Sequence, residues 1–273
     1  MSHYTVAIFT EDDDTDIDDI LAPYDESISV APYVSSTKED LIKSARERMQ
    51  AIFETRYKEW QKAPATYEKT ANPEHIEYLK SLPKLMIRSD AQVYRDEIKG
   101  YESSEITSDG GVLSTYNPNS KWDWYETGGR WHGMLMLKEG CVGQRGTPSH
   151  GSEASENYDA AWVKDIDFDA MAEKLKENLP SLEKARSETY YTKEYFDERY
   201  PTEADYIKDQ TNFTTYAVIT PNGQWHEPGK MGWWGMSSAT TNDERTWADI
   251  YYERFLEPAI ENGWYVTIVD CHI

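Results

Sequence analysis

Apolar and polar residues alternate over 3–9, a stretch rich in β-branched and aromatic side chains, and this predicts a first strand that runs straight into the acidic stretch 11–19. From Thr37 the period changes. Leu41, Ala45, Met49, Ile52, Phe53, Tyr57 and Trp60 recur on one helical face, Thr37 with Asp40 resembles a capping box, and Pro64 ends the run. Shorter helical patterns follow over 73–81 and 90–99, punctuated by Pro83, and 103–111 is rich in turn formers.

The second half opens with a strand-like run over 134–137 and a Gly/Ser/polar loop over 143–157. A helical pattern over 168–191 is interrupted near Pro180, and another over 192–200 stops at Pro201. Residues 213–220 and 224–226 flank Asn222-Gly223, which supplies the positive φ values of a tight hairpin turn. The clearest unit closes the chain: Asn242 as a cap, Trp247, Ile250, Tyr251, Arg254, Phe255 and Ala259 at helical spacing, Gly263 as the stop, and 264–269 as a strand. Strands at both ends favour pairing in one central mixed sheet. The expected fold class is therefore α+β (or α/β), a single domain over 1–273 with helices packed on the sheet, a flexible loop at 143–157 and a charged helical insertion at 158–210.

Length and charge narrow the partners. A chain of 273 residues can bury about three quarters of its unfolded surface. Its apolar content favours rings with a polar atom, Trp 10 and Tyr 20 against Phe 6, which suit sites that are part dry and part wet. A net charge of −22 argues against nucleic acid and anionic membranes as partners, and no duplex DNA affinity is expected. Proteins, cations or a small neutral or nucleotide-like ligand remain, and a homo-oligomer is left open. The same charge serves solubility or, in a sharper reading, an acidic surface that imitates nucleic acid. Cys141 and Cys271 form no CxxC pair, and neither a signal peptide nor a membrane-length apolar run occurs, so both thiols are expected reduced in a cytoplasmic protein.

The densest chemistry lies in Trp122, Asp123, Trp124, Tyr125, Glu126, Gly128, Gly129, Arg130, Trp131 and His132. Gly128-Gly129 permits a turn whose amides approach a ligand, Arg130 can clamp an oxyanion, and indoles stack on planar rings. With Trp233 and Trp234 of the MGWWG segment, Trp122, Trp124, Arg130 and Trp131 are expected to line one concavity for a planar anion. The competing expectation is a packed aromatic turn with Arg130 over an indole or paired with Asp123 or Glu126. Asp123, Glu126 and His132 are the candidate acid/base groups of a hydrolase acting on a nucleotide-like phosphate. No cofactor is called for. Asp270 and His272 share a strand face with Cys271 on the other, a weak metal pair only, and Asp14, Asp16 and Asp18 open a calcium-like loop that lacks its glycine.

The segments KWDWY with GGRW at 121–131, MGWWG at 231–235 and VDCH at 269–272 resemble signatures of an uncharacterised protein family encoded in bacteriophages and bacterial genomes. The resemblance brings no mechanism or catalytic residues. It implies a phage or mobile-element accessory protein, of a kind that often acts on host defence. Two functions follow as expectations: a non-catalytic binder or inhibitor working through the aromatic/Arg pocket or the acidic surface, and the hydrolase.

Overall fold

Strands of the computed structural model, which describes residues 3–232 and 236–273, are β1 (His3–Thr10), β2 (Tyr33–Ser36), β3 (Val112–Ser114), β4 (Trp124–Gly129), β5 (Thr147–Pro148), β6 (Ala160–Trp162), β7 (Ala217–Ile219), β8 (Trp225–His226) and β9 (Tyr265–His272). The two ends of the chain pair as expected. β1 lies antiparallel to β9 from His3↔His272 to Thr10↔Tyr265 and parallel to β7 over Val6 to Ile8. The mixed sheet runs β5-β4-β9-β1-β7-β8, and β6 continues beyond β4 along the same edge of β9. With helices packed around this sheet the fold is α+β.

Both faces of the two central strands are covered. Ala7, Phe9, Val218, Val266 and Ile268 meet Trp247, Tyr251, Phe255 and Ala259 on one face, while Tyr4, Val6, Ile8, Ile219, Val269 and Cys271 meet Leu21 and Trp122 on the other. Each large side chain buried in this way contributes roughly 1.5–3 kcal/mol. The closing helix delivers its four residues at a spacing of four. Thr240 rather than Asn242 caps it, in a reciprocal box with Asp243. A π-helical turn, Tyr252–Leu256, interrupts it ahead of Pro258, which has no amide to donate, and Gly263 in the left-handed conformation (φ 67°) releases β9.

The span read as one domain is built as two compact units, the chain up to Ile28 with Asn117–Ile273, and Ser29–Tyr116. The second closes a core of its own. β2 pairs with β3, and helices Lys38–Ile52, Pro73–Met86 and Asp90–Glu97 bury Ala45, Ile76, Leu79, Leu82 and Val93. The capping box of Thr37 and Asp40 is present. Pro83 does not end its helix, because buried Leu79 and Leu82 hold that turn and Arg46 Nη1 donates to the Met86 carbonyl at its end (2.9 Å).

Several other segments differ from the pattern reading. Residues 143–157 carry β5, and Gln144 bridges to Ala160, so this stretch is tied to the sheet by backbone pairing. Residues 158–210 open with a sheet strand, β6, before the helices Phe168–Glu177, Leu182–Glu188, Lys193–Arg199 and Glu203–Thr211. Leu135 and Leu137 make single bridges only, and no strand forms over 134–137. The calcium-like stretch is a helix start: Asp16 caps Ile17–Leu21, pinned by fully buried Leu21.

The cysteines are both free, and their reactivities should separate. Cys271 is fully buried and its thiol is pushed well above the ordinary range by burial and by Asp270, whereas Cys141 is partly exposed. A disulfide reagent should titrate one thiol quickly in the native protein and two after denaturation. Two fast thiols in the folded protein would contradict this placement of β9.

Candidate functional site

β4 brings the aromatic block to the edge of β9, and Trp122, which precedes the strand, takes the opposite face from Trp124. Trp122 is 8% exposed, donates its indole N–H to the Leu21 carbonyl (3.1 Å) and meets Tyr125 edge-on in the core beneath Tyr4, Val6 and Ile8. Trp124 lies on the opposite face, 43% exposed, stacked on His272 at 5.6 Å. Trp131 packs against the core that holds Ala7 and Phe9. The three indoles therefore do not line one concavity, because Trp122 belongs to the other side of the sheet. Trp233 and Trp234 lie outside the described residues.

The glycine pair serves two buried carboxylates. Gly128 and Gly129 have φ of 84° and 54°, and a Cβ on either would run into Asp159 or Asp270. Asp270, 1% exposed, accepts the Arg130 amide (2.9 Å) and bonds His3 Nδ1 (2.9 Å). Asp159, fully buried, accepts the amides of Gly133 and Gly146 (2.7 Å each) and bonds His132 Nδ1 (2.8 Å). The amides expected to face a ligand thus hold the turn onto the protein's own carboxylates. The guanidinium of Arg130 is left outside, exposed, and among the described residues no carboxylate pairs with it; the expected pairing with Asp123 or Glu126 is absent.

Asp123 instead bonds His272 Nδ1 (2.6 Å), which fixes the orientation of that imidazole beside His3 and Trp124. Nε2 of His272 is buried and has no partner among the described residues. Of the candidate acid/base groups, His132 is enclosed with Asp159, Asp123 is committed to His272, and Glu126 sits across from Asp270, half-buried. Asp270 and His272 do share one face, with Cys271 in the opposite core, so no Cys–His pair forms there. Among the described residues no three His, Cys, Asp or Glu side chains are grouped to hold a metal ion.

Beside edge strand β8 opens a cleft of about 560 Å³ that no local spacing in the sequence announces, since its walls come from Tyr24, Pro118, Asn119, Lys121, 224–228 and the helix Thr241–Tyr251 with its π turn. Lys121 pairs with Glu227 (2.5 Å), whose second oxygen accepts the Trp225 indole N–H (2.9 Å). The nearest sequence signal is Trp225 and Glu227 shortly after the Asn222-Gly223 turn. No protein-family model, curated protein or solved structure matches this chain.

Proposed function

We propose that the protein is a non-catalytic binding protein whose contact surface is the end of the sheet carrying Trp124 and Arg130. The observation that supports this most is the placement of Arg130: an exposed, unpaired guanidinium on a turn anchored by buried Asp159 and Asp270. A charge held out on a rigid turn loses little entropy when a partner carboxylate or phosphate closes on it bidentately, and Trp and Arg are the side chains that most often dominate binding energy. Trp124, backed by His272, adds a half-exposed apolar face next to it.

The hydrolase reading draws on one observation, the Asp123–His272 pair, which orients an imidazole as a general base requires. Against it, the free nitrogen of that ring is shut off from solvent and His132 is locked in a structural role. In keeping with the phage and bacterial resemblance, the inferred target is a host component, a protein or a small nucleotide-like ligand, and binding it counters a host system. The surplus of negative charge would steer a basic protein partner toward the chain.

Native mass spectrometry of wild type, Arg130→Ala and Trp124→Ala purified from host cells tests this. The wild type should retain added mass that both variants lose, with melting temperatures changed by no more than about 2 °C, as for surface substitutions of roughly 0.5 kcal/mol. No added mass on the wild type, or equal retention by the variants, would sink the reading.

A further inference from the structure

The cleft beside β8 is separate in its residues from the Trp124–Arg130 surface, and its size falls in the range of small-ligand sites. Its charges are unevenly committed. Lys121 and Glu227 satisfy each other, and Asp243 is engaged by the amide and hydroxyl of Thr240 at the helix cap (2.9 and 2.7 Å). Arg254 is exposed, rests against the Phe255 ring, and among the described residues its one polar contact is Nη2 to Nδ1 of His226 (3.2 Å). Among the described residues no carboxylate pairs with it, in a chain of 50 acids and 28 bases. A guanidinium has only donors, so the His226 nitrogen facing it must carry a lone pair and the ring is neutral. The residue sits in the π turn Tyr252–Leu256, a distortion often found at functional sites.

We propose that this cleft binds a nucleoside monophosphate, with the phosphate on Arg254 and the base against the wall formed by Trp225 and Tyr24. The two rings lie 5.0 Å apart, and the side-chain amides of Asn119 and Gln224 in the same lining can give and accept hydrogen bonds to a base. Trp225 is partly buried and held by its bond to Glu227, so its ring is positioned in advance. The net charge of −22 does not forbid the anion, because charges beyond about 8 Å are screened at physiological salt, whereas a long polyanion would meet the acidic surface outside the cleft.

A second readout comes from His226, whose pKa burial and then Arg254 hold below 6.5. The charged groups sharing the cleft with it are Lys121, Glu227, Asp243 and Arg254. A phosphate on Arg254 offsets the positive charge beside the ring, so the titration midpoint of His226 should rise on binding.

The test is calorimetry on the full chain at physiological salt with AMP, GMP, CMP and UMP, alongside adenosine and inorganic phosphate. At least one nucleotide should bind, AMP or its best counterpart at least about tenfold more tightly than the nucleoside or phosphate alone, a difference of about 1.4 kcal/mol. Arg254→Ala should weaken it at least about tenfold and abolish the His226 shift, Arg254→Lys should recover part of the affinity, and Arg130→Ala should leave it unchanged. Failure of all four nucleotides, equal binding by Arg254→Ala, or loss of binding in Arg130→Ala overturns the proposal. A nucleotide held by the Trp124–Arg130 surface instead would be lost in Arg130→Ala and kept in Arg254→Ala, so the two readings fail separately.

Discussion

Asp159→Ala is expected to destabilise the protein by about 3–5 kcal/mol, the large loss that follows from breaking a buried hydrogen-bond network. The carboxylate is fully buried and receives two amides and an imidazole, and its own carbonyl accepts the amide of Ile268 in β9 (2.8 Å). Alanine takes the acceptor away from Gly133, Gly146 and His132, and each buried unsatisfied donor costs about 1–3 kcal/mol. Against a typical total of about 5–15 kcal/mol, this removes a large share of the stability. Asp159→Asn keeps an acceptor for one or two donors and should lose less. Urea denaturation of the three proteins checks this, and an Asp159→Ala midpoint corresponding to a loss below about 1 kcal/mol would mean that the turn is not held by this group.

Gly129→Ala should cost about 2–4 kcal/mol, through two additive causes. A φ of 54° is unfavourable for a side-chain-bearing residue by about 1–2 kcal/mol, and the added Cβ would overlap Asp270 Cβ and stand 2.5 Å from its Oδ2. Asp270 cannot yield easily, because it is buried and tied to His3 and to the Arg130 amide. Gly140→Ala separates the causes, since that glycine has φ 82° but nothing within 4 Å of an added Cβ. It should show the backbone part alone, about 1 kcal/mol. If the two variants lose equal stability, the contact between the turn and Asp270 has no energetic weight.

Among the described side chains named from the sequence, Trp124 and Arg130 stay exposed, while Trp122, Trp131 and His132 are absorbed into packing. A Gly-Gly-Arg-Trp segment looks the same in sequence whether its amides face a ligand or a buried carboxylate. The difference lies in Asp159 and Asp270, which are 26 and 140 positions away from the turn amides they accept, those of Gly133 and Arg130.

What the sequence determined by itself is what short-range physics encodes. A capping box closes within three residues at Thr37–Asp40, a tight turn needs only Asn222-Gly223, a helix stops at Gly263 for lack of a Cβ, and the strand at each end of the chain is legible in its own apolar run. Tertiary structure alone decided which face each indole takes, that residues 29–116 close a core apart from the sheet, and that Lys121, Trp225, Glu227 and Arg254 meet around one cleft. The reason is physical: periodicity states that a residue is covered without naming what covers it, and hydrogen bonds such as His3–Asp270 join positions 267 apart, where no local pattern reaches.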